Sequence, residues 1–144
     1  MPDPCQVDFY VLEDETQRVE LLACRLAMMA WQKGNRIMLL TESEAENERL
    51  DQLLWEHPQG RFLPHAKKHE GEAPVLIGTL AQLGDNDGNV VINLTREPVP
   101  APQRFQRLLE LVPASPSERA ASREKFRAYR EQGLNPESHS IKQN

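Results

Sequence analysis

The chain has 144 residues, 39% hydrophobic and 27% charged, with a net charge of -5 at neutral pH. That length holds about one domain, and the composition supplies a packed core under an ordinary charged surface. Disordered acidic, collagenous and disulfide-scaffold chains are excluded. The longest apolar-rich stretch, Leu21 to Trp31, is interrupted by Arg25 and is too short to cross a bilayer. The opening M-P-D-P-C-Q-V-D lacks the basic start and apolar run of a signal peptide, so the cytoplasm is the expected compartment. Cys5 and Cys24 stand in no spacing motif, which suits reducing conditions. Charge is uneven: residues 1–100 hold 9 Lys/Arg against 17 Asp/Glu, and the remainder holds 8 against 5. An acidic body with a basic end is no nucleic-acid binder by bulk charge, but the end can capture an acidic partner.

Val7–Leu12 reads as a strand, bounded by acidic loop residues. Thr16 is placed to cap the following segment, whose apolar residues recur at helical spacing until Lys33, with Gly34 as terminator. Arg36–Thr41 is a continuous apolar run of strand length, as in a strand buried on both faces. Ser43 then caps a polar outer helix from Glu44 to Trp55. Strand, helix, strand, helix in this order predicts a parallel α/β sheet. His57–Ala73 reads as a long exposed loop, Val75–Ile77 and Val90–Leu94 as short strands with G-D-N-D-G as a turn between them. After three spaced prolines come a short helical piece at Gln103–Arg107 and a strand at Leu108–Val112. Ser115-Pro116-Ser117-Glu118 forms a capping box with proline at the first helical position, opening a helix to about Gln132 closed by Gly133 and Leu134. The expected architecture is one α/β domain over 1–134, a mainly parallel central sheet with helices on both faces. Its topology is Rossmann-like without a nucleotide site. Residues 135–144 read as a polar tail that frays.

Catalytic signals are few. The first strand is followed by E-D-E-T and not by a glycine-rich loop, and that acidic turn would repel a pyrophosphate. His65 and His69 are four apart, but Cys5, Cys24 and His57 fall at no interval that completes a zinc site, so no metal is expected. Cys24 reads as a buried inert thiol and Trp31 as core.

Two constellations carry more. On the last helix, with Arg119 at zero, Arg130 falls at about 20°, Arg123 at about 40°, Arg127 at about 80° and Phe126 at about -20°. Four guanidinium groups thus share a face with a ring. The stripe reads either as a solvated basic face or as a site for a short acidic peptide with a terminal carboxylate and an apolar side chain. Trp55 with Phe62, Leu63 and Pro64 reads either as a core plug or as an exposed apolar patch for a partner protein.

The chain resembles the chi subunit of bacterial DNA polymerase III. The likeness runs through F-Y-V-L in the first strand, L-L-A-C-R-L-A ending in W-Q-K-G-N-R, L-D-Q-L-L-W with F-L-P-H, and E-K-F-R-A-Y-R-E-Q-G-L-N near the end. The resemblance implies a non-catalytic accessory subunit with no cofactor, monomeric or 1:1 with the psi subunit, and without membrane contact. The resemblance further implies a bridge from psi of the clamp loader to the acidic C-terminal tail of single-stranded-DNA-binding protein, with nucleic acid met only indirectly. By matching position it implies a psi patch of Trp55, Phe62 and Pro64. The implied tail site is Arg119, Arg123, Phe126 and Arg127 with Val112 lining its apolar pocket. Where the family often carries Lys or Tyr, this chain has Arg119, Arg127 and Phe126, so charge is kept and the tyrosine hydroxyl is not. The competing readings are a nucleotide- or phosphate-using α/β enzyme and a direct binder of single-stranded DNA, for which one aromatic beside the stripe is meagre.

Overall fold

The apolar run after Arg36 becomes a strand deep in the sheet, Ile37–Thr41 (β2), with all five residues buried. No position alternates to solvent because neighbouring strands and both helical layers cover it. The structure, a computed structural model, describes residues 5–16, 18–56, 63–68, 70–84 and 87–141. In chain order the elements are β1 Gln6–Leu12, α1 Val19–Gln32, β2, α2 Glu44–Glu56, β3 His65–Lys67, β4 Val75–Thr79, β5 Val90–Asn93, β6 Arg107–Val112, α3 Pro116–Glu131 and β7 Glu137–Ile141. They build a seven-stranded sheet in the order β3-β4-β2-β5-β6-β1-β7. Every pairing is parallel.

Helices cover both faces. Leu22, Ala23, Ala27 and Met28 of α1 and Leu50, Leu53 and Leu54 of α2 pack with Leu39, Ile77, Ile92 and Leu109 on one face. Tyr129 of α3 joins Phe9, Met38, Val91, Leu108 and Val112 on the other, with Val99 and Phe105 from the preceding loop. Alternation along β1 makes this split: Val7, Phe9 and Val11 face α3, while Tyr10 and Leu12 face α1. Each fully buried Leu, Ile or Phe contributes about 1.5–3 kcal/mol over its exposed state. Trp31 is half-buried against the α1 side of the core.

Helix ends follow the local chemistry, with two departures. Gly34 at φ 90° and Gly133 at φ 87° supply the left-handed residues that close α1 and α3. Ser115 caps α3, its Oγ accepting from the Glu118 amide at 3.3 Å. The reciprocal half of the capping box is not made, because the Glu118 carboxylate takes the Arg96 guanidinium at 2.6 Å. Thr16 does not cap α1, whose N-cap is Arg18. The Thr16 amide and hydroxyl both bond Asp14 Oδ1 at 2.9 Å, an Asx turn that competes with the cap.

Three expected boundaries change. The stretch read as a long loop over 57–73 contains β3, whose Lys67 is buried beside Glu48 of α2. The short helical piece is a 3-10 turn at Pro102–Arg104, and Arg107 already belongs to β6. The expected frayed tail is instead an ordered edge strand: β7 pairs with β1 from Asp8↔Glu137 to Leu12↔Ile141. It is held there because β1 would otherwise end the sheet with open backbone groups and with the buried Asp8 carboxylate short of a partner.

Candidate functional site

What fixes α3 on the sheet decides which of its faces is free. Glu110 of β6 is fully buried, and its two oxygens accept from Lys125 Nζ at 2.7 Å, Tyr129 hydroxyl at 2.5 Å and Asn93 Nδ2 at 2.9 Å. Lys125 also donates to the Thr95 carbonyl at 2.6 Å, and the Tyr129 oxygen accepts from the Val99 amide at 2.8 Å. Burial pushes the Glu110 carboxyl above its ordinary range, against Lys125, Tyr129 and Asn93, which favour the charged form. With every polar group of the network partnered, losing one side leaves a buried charge that costs about 3–5 kcal/mol. Lys125 and Tyr129 therefore point inward, and the Phe126 ring packs against Phe9 with centroids 5.3 Å apart and planes tilted at 46°. Helical geometry then turns positions 119, 122, 123 and 126 toward the β1–β7 edge.

There the structure holds a hollow of about 440 Å³. Phe9, Val11, Val112 and Phe126 supply apolar wall, Arg119 and Arg123 supply cations, and Ser122, Ser138 and Ser140 supply hydroxyls, with Glu13 as the one acid. Two walls were hidden in the sequence: Phe9 and Val11 require the β1 register, and Ser138 and Ser140 require β7. Among the described residues Arg123 has no ion pair, and Arg119 has only a 3.4 Å bond to the Leu12 carbonyl. Arg127 lies outside this hollow and pairs with Glu124 at 3.1 Å, both side chains about two-thirds exposed. A second hollow, about 370 Å³, lies among Arg123, Phe126, Arg127, Arg130 and Glu131. The arrangement suits an apolar group joined to a carboxylate: rings and valines bury the former while guanidiniums clamp the latter.

The second constellation sits on α2 and β3. Trp55 is 59% exposed, a large apolar side chain on a polar helix. His65 lies against it at 4.8 Å between ring centroids. Pro64 is half-buried and Leu63 is in the core, so Leu63 plugs while Trp55 does not. Phe62 lies outside the described residues. As β3 and β7 are opposite edges of the sheet, six strand spacings or roughly 25–30 Å apart, the two constellations lie toward opposite edges.

Other chemistries find poor footing. The turn after β1 holds Glu13, Asp14 and Glu15, and a hollow of about 240 Å³ beyond β2 sets Glu20 and Glu46 against one Arg49, which disfavours a phosphate. His57 and His69 lie outside the described residues, and His65 Nδ1 is engaged by the Leu63 carbonyl at 2.7 Å. Burial pushes the Cys5 thiol up to about 11 and the Cys24 thiol up to about 12, so both are poor nucleophiles. The sequence missed one cluster, Asp8, Glu137 and His139, whose ligand atoms lie within 4.8 Å of one another. Asp8 is already engaged by Arg107 and His139, each at 2.9 Å, and the guanidinium opposes a cation there. No helix among the described residues is long and apolar enough to cross a membrane.

Residues 5–137 match the family model described as DNA polymerase III chi subunit, HolC. The chain is 41% identical over 142 residues to DNA polymerase III subunit chi of Pseudomonas aeruginosa, covering 94% of this chain and 96% of that one. It is 31% identical over 135 residues to subunit chi of Escherichia coli K12, covering 88% and 92%. The Haemophilus influenzae subunit chi is 29% identical over 137 residues, with 92% and 95% covered. A match over nearly the whole α/β domain, on a sheet that carries no phosphate cradle among its described residues, makes this chain a member of the DNA polymerase III chi subunit family.

Proposed function

We propose that this chain is a non-catalytic accessory subunit in DNA replication. It bridges the clamp loader, through the psi subunit, to the acidic C-terminal tail of single-stranded-DNA-binding protein. The observation that carries the reading is the hollow beside α3, where Arg123 stands without an ion pair among the described residues next to an apolar wall of Phe9, Val112 and Phe126. A tail ending in an apolar residue places its side chain against that wall and its carboxylate against Arg119 and Arg123. Psi docks on Trp55, Phe62 and Pro64, of which Trp55 and Pro64 lie toward the other edge of the sheet. DNA coated with its binding protein presents many tails, so a weak contact is multiplied by local concentration.

A fluorescent peptide of the tail sequence tests the first half. Binding at roughly micromolar Kd, about 8 kcal/mol, is expected, because the contact is small and the peptide must be ordered. Rising salt weakens it through screening. Arg123→Ala, with an unchanged thermal midpoint, is expected to remove most of the binding. Parent-like affinity in that variant defeats the assignment. Steeply salt-dependent binding of bare oligonucleotide, with no tail present, favours the direct-DNA reading instead.

A further inference from the structure

Beneath Trp55 lies a side chain that neither proposed contact uses. The His65 side chain is 1% exposed, at the first position of edge strand β3. Its ring meets the Trp55 indole edge-on, with centroids 4.8 Å apart and planes at 63°. Nδ1 is 2.7 Å from the Leu63 carbonyl oxygen, and since a carbonyl only accepts, Nδ1 carries the proton. Nε2 faces Asp51 of α2 at 3.3 Å, out of line for a hydrogen bond. One buried ring therefore touches the exposed indole, the backbone just before Pro64, and the carboxylate one helical turn before Trp55.

We propose that His65 is a positioning residue of this surface: its ring holds the Trp55 indole in one orientation and ties α2 to the Leu63–Pro64 backbone, so that helix and loop present one rigid apolar patch. An indole 59% exposed loses side-chain freedom when a partner covers it, and a ring packed against its edge removes that loss before binding. Ordering one such side chain beforehand is worth roughly two- to tenfold in affinity. The inference rests on the reading of this patch as the psi face and adds the residue that shapes it.

The chain has 2 tryptophans, so a Trp31→Phe background leaves Trp55 as the only indole. Time-resolved anisotropy then reads its motion in the free protein. The parent is expected to follow whole-molecule tumbling. His65→Ala is expected to add a fast component on the nanosecond scale or below. His65→Phe, which restores a ring, is expected to remove that component; His65→Asn, which keeps a donor for Leu63 but no ring, is not. Psi affinity is expected to fall two- to tenfold in the Ala and Asn variants and to recover in the Phe variant. Tail-peptide affinity stays constant throughout, which reports an intact fold. Should His65→Ala fail to fold, the Asn variant carries the same comparison. Unchanged indole motion in a folded Ala or Asn variant overturns the positioning role whatever psi does. Undiminished psi binding by Trp55→Ala overturns the docking half and the psi reading with it, while the indole-motion result stands.

Discussion

Arg123 and Arg127 are one helical turn apart on α3, yet their surroundings differ. Arg123 lines both hollows and has no ion pair among the described residues, whereas Arg127 reaches Glu124 at 3.1 Å across an exposed surface. An exposed i, i+3 pair is worth only about 0.3–0.5 kcal/mol, so Arg127 is lightly held but lies outside the larger hollow. A charge-assisted bond from Arg123 to a buried carboxylate is worth about 1.5–3 kcal/mol. Arg127→Ala is therefore expected to weaken the tail peptide by less than about threefold, and Arg123→Ala by roughly ten- to a hundredfold. Anisotropy titrations of both variants at one salt concentration decide this, and equal losses would show that the cations act as a diffuse field. Phe126 was legible in the sequence as the apolar neighbour of the stripe, whereas Val112, on β6, was implied only by the family resemblance. The inward turn of Lys125 was not, since Glu110 lies fifteen residues earlier on another element.

At the scale of elements, the sequence was most readable where one physical signal dominated: the unbroken apolar run of β2, the apolar stripe of α1, the proline-bearing cap of α3. It was least readable in β7. E-S-H-S-I is polar on both faces, and four of its five residues are exposed, so no alternation marks it as a strand. What holds it is tertiary. Its backbone pairs with β1, His139 bonds Asp8 at 2.9 Å, and Tyr10 stacks on the His139 ring at 5.3 Å. Burial acts to raise the Asp8 carboxyl, but His139 and Arg107 together outweigh it and hold it below the usual carboxylate value. Because the folded value lies below the unfolded one, this stabilisation is present above the unfolded value of about 3.9. It is lost as pH falls through the folded value. Asp8→Asn is thus expected to cost about 1–3 kcal/mol at neutral pH and to flatten the acid limb of the stability curve below about pH 4. Denaturant midpoints across that range measure it, and an acid limb of unchanged slope would show that other carboxylates govern it. Since Ser138 and Ser140 wall the hollow, the same variant is expected to weaken the tail peptide as β7 loosens.

The two proposed contact surfaces lie toward opposite edges of the sheet. The hollow is built from β1, β6, β7 and α3, and the Trp55 surface from α2 and β3, with no element in common. Between them lie strands buried on both faces, such as β2 and β5, which have no second arrangement to adopt at low cost. Coupling between sites needs an element with two states that both ligands bias, and a close-packed parallel sheet offers none. The two contacts are accordingly expected to be thermodynamically independent. Tail-peptide affinity measured on the free protein and on its preformed complex with psi should agree within about twofold, which is a coupling of about 0.4 kcal/mol. The salt response should differ as well. The proposed tail contact rests on guanidiniums and is expected to weaken with ionic strength, whereas the apolar Trp55 surface is expected to respond little. A tenfold change in tail affinity on saturating psi would mean that strain crosses the sheet or that psi reaches α3 itself. Arg123→Ala in the complex separates these, since only direct contact would make psi binding depend on that side chain.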